Sequence, residues 1–139
     1  MAVRMQFSRA IPILRIFNTK KAREFYVDFL GFSVDWEHRI AAHAPLYMQI
    51  SRGKLVLNLS EHYGDCCPGS AIIVRMTGLD AFHKEITAKH YRYLHPGIET
   101  TPWNTRDMTV IDPFGNRIRF SEDLPARATR GKSAPKKKR

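Results

Sequence analysis

The sequence predicts an α+β fold made of two successive β-α-β-β-β modules, and three observations predict it. An apolar helical face runs from Ala22 to Leu30 and closes on Gly31. Short alternating segments around it have the length and composition of strands. The same order of elements then returns after a linker containing Gly64, Pro68 and Gly69, which places the modules at about 9–60 and 70–122. The repeat is one of element order and not of residues.

Ile11 to Phe17 is a short apolar run and the expected first strand. Pro12 cannot donate a ladder hydrogen bond, so it belongs at a strand start or an edge. Asn18 and Thr19 are good helix caps. Ala22, Phe25, Tyr26, Phe29 and Leu30 follow the i, i+3, i+4, i+7, i+8 spacing of one helical face. Gly31 suits the left-handed position that ends such a helix. Strands are expected next at Phe32–Glu37, at Leu46–Ser51 with Leu46, Met48 and Ile50 on one face, and at Lys54–Ser60 after the turn Ser51-Arg52-Gly53-Lys54. Residues 61–69 read as a linker. In the second round Ala71–Met76 is a strand, and Thr77 with Asp80 has capping-box spacing. Leu79, Phe82, Ile86 and His90 mark a helical face. Tyr91–Leu94, Met108–Ile111 and Arg117–Phe120 are the remaining strands, with Asp112-Pro113-Phe114-Gly115-Asn116 as a dense turn.

A chain of 139 residues, 43% of them apolar, fits one domain with a real core. No apolar run approaches the roughly 20 residues that cross a bilayer. Residues 1–9 carry two arginines and no apolar stretch of a secretory signal, so a cytoplasmic location is expected. The formal charge of +10 is concentrated. Seven of the 23 basic residues lie in 127–139, where there is no acid, leaving a net +3 over residues 1–126. A 1–126 domain followed by a basic, disordered tail at 127–139 is therefore expected. So mild a charge on the body makes no case for nucleic acid as the main partner, beyond weak contact through the tail. Cys66 and Cys67 are adjacent, which disfavours a bond between them, and reduced thiols are the simpler expectation.

Three groups of residues resemble the glyoxalase/bleomycin-resistance, or vicinal-oxygen-chelate, superfamily. The first is Ile11-Pro12-Ile13-Leu14 followed by Ala22-Arg23-Glu24-Phe25-Tyr26 and Phe29-Leu30-Gly31-Phe32. The second is Gly78-Leu79-Asp80. The third is Pro102-Trp103, then Asp112-Pro113 with Gly115-Asn116, then Arg119-Phe120. Together they span roughly residues 9–122. The Pro102-Trp103 and Asp-Pro-x-Gly-Asn segments point to the bleomycin-resistance branch. The resemblance implies two βαβββ modules whose mixed sheets curl around a cleft, and a homodimer that exchanges its N-terminal strand, with Pro12 matching a proline of that strand. It implies ligand crevices at the subunit interface and sequestration of a drug without chemistry. The expected function is thus a non-enzymatic antibiotic-binding protein, with a bleomycin-type glycopeptide among the ligands; the alternative is a metal-dependent lyase or dioxygenase with atypical ligands. The expected binding residues are Phe32, Trp36, Asn58, Trp103, Phe114 and Arg119, the aromatic ones supplying faces on which planar rings stack. Trp103 would form one wall of the crevice and Phe32 or Trp36 the other. The resemblance also implies an acidic surface for a cationic glycopeptide, and the basic body departs from that, since like charge lowers encounter rates.

In the metal-dependent relatives, His, Gln or Glu ligands come from the first, fourth, fifth and eighth strands. The corresponding positions here read Ile11, Asn58, Ser70 or Ala71, and Arg119. Isoleucine and alanine cannot ligate, an amide is a poor transition-metal ligand, and arginine has no lone pair to offer. No metal and no cofactor are expected. His62, Asp65, Cys66 and Cys67 share one linker and read either as a small metal or redox site or as a polar loop with incidental thiols. His38, His43, His83, His90 and His95 form no constellation with an acid and a nucleophile. Arg119 alternates with Ile118 and Phe120, and reads either as a cleft residue facing an anionic or carbonyl group or as part of a solvated strand face.

Overall fold

A computed structural model describes residues 3–125; the expected tail at 127–139 lies outside the described residues. In chain order the elements are β1 (Ile13–Arg15), α1 (Thr19–Arg23), a π-helical continuation of α1 (Glu24–Phe29), β2 (Ser33–His38), β3 (Tyr47–Arg52), β4 (Leu55–Ser60), β5 (Ala71–Arg75), α2 (Leu79–Thr87), β6 (Ile98–Thr100), β7 (Thr105–Ile111) and β8 (Arg117–Asp123). They form two four-stranded sheets, ordered β1-β4-β3-β2 and β5-β8-β7-β6. In each sheet the first strand runs parallel to the last and the remaining pairs are antiparallel. This is the expected pair of βαβββ modules. No helix among the described residues is long and apolar enough to cross a membrane.

The first helix starts where Asn18 accepts the Lys21 N–H at 2.8 Å. It then widens. The Leu30 N–H bonds to the Phe25 carbonyl five residues back, at 2.9 Å, a π-type turn that periodicity had not indicated. Phe25, Tyr26, Phe29 and Leu30 are all buried. Gly31 ends the helix at φ +80°, and a Cβ there would lie 2.6 Å from the Arg52 guanidinium.

Strand alternation decides which sheet face is covered. Leu14, Met48, Ile50, Leu57 and Leu59 turn one way from the first sheet; Met108, Val110, Ile118 and Phe120 do so from the second. Together with Phe25, Tyr26, Leu79 and Ile86 of the helical segments they make one core that spans both modules. Polar links cross the same boundary. The Tyr26 hydroxyl donates to Asp112 at 2.6 Å, Asn116 Nδ2 donates to the Arg15 carbonyl at 2.8 Å, and Arg52 forks onto Glu85 with both bonds at 2.8 Å. Lys89 Nζ donates to the carbonyls of Asp28 and Phe29 at 2.8 and 3.0 Å.

Four local expectations are corrected. The first strand is shorter than Ile11–Phe17; Pro12 lies just before it, and its carbonyl accepts the Asn58 N–H at 2.9 Å. Thr77 does not cap α2. Gly78 does so at φ +83°, its N–H held by Glu122 at 2.7 Å, while Asp80 forks with Arg106 at 2.8 Å. His90 falls beyond the end of α2 at φ +53° and is exposed. Tyr91–Leu94 is not a strand. Tyr91 stacks on Phe29 with centroids 4.4 Å apart, which takes that segment onto the helix, and the edge strand forms instead at Ile98–Thr100 after Pro96.

Candidate functional site

Covering one face of each sheet leaves the other face open. On the first sheet that open face is aromatic and polar. The ladder between β2 and β3 pairs Val34 with Ile50 and then Trp36 with Gln49, so Asp35 is an extra residue. Such a bulge breaks the strict alternation of side chains. Asp35 accepts from Gln49 Nε2 at 3.1 Å and from Ser51 Oγ at 2.9 Å. Trp36, 43% exposed, stacks on Tyr47 with centroids 5.8 Å apart and planes at 27°. The Tyr47 hydroxyl accepts the Asn58 amide at 2.9 Å. The other end of that amide, Asn58 Oδ1, is buried and has no partner, as is Arg15 Nε on β1. An unsatisfied buried polar atom costs about 1–3 kcal/mol. The shelf made by Trp36 and Tyr47 is thus tied through the Tyr47 hydroxyl to an amide whose oxygen is buried without a partner.

The open face of the second sheet is cationic and apolar. Ladder pairing sets Ala71, Arg117 and Ile111 in one row, Ile73, Arg119 and Thr109 in the next, and Arg75, Ser121 and Asp107 in the third. Ile73 is 60% exposed. Asp107 is buried, accepting from Thr105 Oγ1 at 2.9 Å and Ser121 Oγ at 2.7 Å. Arg75 donates to Ser121 Oγ at 3.2 Å and to Asp123 at 3.1 Å.

The expected binding residues therefore divide. Trp36 and Asn58 come together through Tyr47. Arg119 lies on the open face of the other sheet. Trp103 is 66% exposed on the turn between β6 and β7, which excludes a core anchor. Phe114 is half-buried against Phe17, centroids 6.1 Å apart, at the β7–β8 turn whose Asp112 and Asn116 bond to the first module. Phe32 is 3% exposed and meets Tyr26 edge-on at 6.2 Å, a core position that also borders a groove lined by Arg52, Phe82 and Phe120. Tyr47, Asp35 and Arg75 were not singled out from the sequence. Tyr47 alternates with the buried Leu46, Met48 and Ile50, which was the available signal that it faces away from the core.

The residues at the metal positions do not suit a metal. Asn58 pairs with Ile13 and Arg119 with Ile73, two residues beyond Ile11 and Ala71, and an isoleucine at either place has no lone pair. Among the described residues no group of three or more His, Cys, Asp or Glu side chains is placed to hold a metal ion. In the linker, burial and the neighbouring Asp65 charge push the Cys66 thiol up, against the opposing pull of Arg15. A raised thiol pKa disfavours the thiolate that both metal binding and redox exchange need.

Residues 2–126 match the family described as glyoxalase superfamily protein. No curated protein matches the sequence significantly. Among solved structures, the chain resembles a bleomycin-binding protein from bleomycin-producing Streptomyces verticillus, complexed with copper(II)-bleomycin, at 28% identity and a TM-score of 0.62, covering 84% of this chain and 97% of that one. It resembles an antibiotic binding protein from a Streptomyces species at 21% identity and a TM-score of 0.65, covering 86% and 99%. A glyoxalase/bleomycin resistance protein/dioxygenase superfamily member from Sphaerobacter thermophilus matches at 19% identity and a TM-score of 0.61, covering 84% and 98%; at the identities of these last two, the likeness concerns the fold.

Proposed function

The chain belongs to the glyoxalase superfamily, and from that membership we propose that it is a non-enzymatic binding protein that sequesters a small, antibiotic-type molecule in a crevice between two subunits. The observation that carries the reading is the stacked Trp36–Tyr47 shelf, exposed at Trp36, with Tyr47 tied to Asn58. A planar ligand gains stacking energy there, beside a Tyr47 hydroxyl that the Asn58 amide holds in place. The similar Streptomyces proteins are a bleomycin-binding protein and an antibiotic binding protein, which supports a small-molecule ligand. The lack of metal-competent side chains at the family positions counts against lyase or dioxygenase chemistry.

The proposal includes a dimer, and the N-terminal arm supports it. Val3, Met5 and Phe7 alternate along the N-terminal arm and are 95%, 82% and 88% exposed. Apolar side chains so exposed are stabilised by a partner surface. Exchange of this arm, with Pro12 at its junction with β1, closes the crevice. Trp103 is the second aromatic available to the crevice from outside the core.

Thermal shift with bleomycin and a panel of planar antibiotics tests the function, because a ligand that binds only the native state raises apparent stability. We expect one class to raise Tm saturably, to quench tryptophan fluorescence and to lose about tenfold in affinity on Trp36→Ala, with light scattering giving a dimer. Catalytic turnover of a bound compound, or a monomer that binds nothing on the panel, would overturn the proposal.

A further inference from the structure

We infer that the ligand is an anionic aromatic molecule, a planar ring system carrying a carboxylate, sulfonate or phosphate, and that Arg119 and Arg75 on the open face of the second sheet hold its charge. This rests on the reading of the open sheet faces as the binding surface and names the class of molecule that surface takes.

The placement follows from the ladder. Arg117 and Arg119 are two residues apart on β8, and Arg75 stands on β5 one row beyond Arg119. Successive side chains on one face of a strand are about 7 Å apart, so the guanidinium groups project from neighbouring positions of one surface. Two acids lie on the next two rows, and neither pairs with Arg119. Asp107 is buried and takes the hydroxyls of Thr105 and Ser121. Asp123 meets Arg75 at Nη1 alone, at 3.1 Å in an exposed pair that offsets part of its charge and orders it, with Nη2 and Nε left to donate. Among the described residues, neither Arg117 nor Arg119 has an acidic side chain within ion-pair distance. The row neighbours of Arg119 are Ile73 and Thr109, neither of them charged.

A cavity gives the second, independent observation. A groove of about 560 Å³ runs between β5 and the start of β4, and Arg9, Pro12, Lys54, Val56, Ile73 and Arg75 are among the residues that line it, with no acid anywhere on its walls. That volume suits a small ligand. Ile73 and Arg75 belong both to the groove and to the open face; Arg119 is not on the groove's walls and adjoins it through Ile73. The combination is specific. Exposed Ile73 favours an apolar ring, and forked guanidinium donors favour a carboxylate, sulfonate or phosphate. A cationic ligand meets like charge at each of these positions.

The test uses the full-length protein and three fluorescent dyes. Anilinonaphthalene sulfonate is aromatic and anionic, N-phenylnaphthylamine has the same rings without the sulfonate, and thioflavin T is aromatic and cationic. The expected result is saturable binding with the sulfonate dye about tenfold tighter than its neutral counterpart, the size of a charge-assisted hydrogen bond. Arg119→Gln and Arg75→Gln should each remove most of that preference, leave the neutral dye's affinity unchanged and leave Tm within a few degrees. Arg119→Lys should retain part of it. Equal affinities for the two naphthyl dyes, or arginine variants without effect, would overturn the anion site while the aromatic crevice stands. A preference for thioflavin T would overturn it as well. If no dye binds saturably, the anion site and the crevice both fail.

Discussion

At the scale of single residues, the Tyr26 hydroxyl ties the two modules together from inside the core. It donates to Asp112 Oδ2 at 2.6 Å, and the same carboxylate also accepts the Phe114 N–H, the Asn116 N–H and Asn116 Nδ2. Burial, and then the Asp112 charge, hold the Tyr26 phenol well above its ordinary 10.0. A phenol raised in this way contributes stability that is fully present below pH 10 and is lost as the pH rises towards the folded value. Tyr26→Phe should therefore cost about 1–3 kcal/mol at neutral pH by urea unfolding, and its stability should fall less steeply above pH 10 than that of the parent. An equal slope in both would show that Tyr26 is not the titrating group. The Asp112–Asn116 turn was legible from its composition, but its partner 86 residues away was not. Phe32 shows the same limit. An aromatic residue after a helix-ending glycine fits a core or a crevice equally well, and its packing against Tyr26 at the edge of a groove depends on the fold. Trp36 and Asn58 were legible as residue types suited to a binding surface; their union through Tyr47 depends on strand register.

At the scale of elements, the helix ending at Gly31 makes the sharpest demand on sequence. The glycine has φ +80°, and an added Cβ would meet the Arg52 guanidinium at 2.6 Å, where Arg52 also donates to the Leu30 carbonyl at 2.8 Å. Gly53 is a natural control, with φ +59° and nothing within 4 Å of an added Cβ. A left-handed conformation costs a non-glycine residue about 1–3 kcal/mol. Both alanine variants bear that strain, but Gly31→Ala must also displace Arg52 and should lower Tm clearly more than Gly53→Ala. Equal losses would mean that the Arg52 contact adds nothing. Helix 1 was legible because its apolar spacing is set by the core it faces. The π turn within it was not, since one extra backbone residue per turn leaves the same side chains buried. The edge strand was placed at Tyr91–Leu94 because tyrosines favour strands, whereas here Tyr91 gains more by stacking on Phe29. The bulge at Asp35 left no trace in composition, because Asp-Trp within a strand also reads as ordinary alternation.

At the scale of the whole molecule, two modules that look alike in element order share one core. Phe82 meets Phe120 edge-on at 5.0 Å within the second module, yet both belong to the same buried cluster as Phe25, Tyr26 and Phe32 of the first. Hydrogen bonds from Tyr26, Arg52, Lys89 and Asn116 close the seam. The order of elements made the modules legible, but not the sharing of their core, since apolar periodicity shows that a face is buried and not what buries it. The covalent connection between them, by contrast, is a linker whose Gly64 has open space around it. A chain cut after residue 64 should accordingly yield two fragments that fail to fold singly and regain cooperative unfolding when refolded together, as followed by circular dichroism on each fragment and on the mixture. A cooperative transition from either fragment alone would contradict this. If the halves do find each other, each is a template for the other, and fusing them to two unrelated proteins would turn their reunion into a reporter of whether those proteins meet.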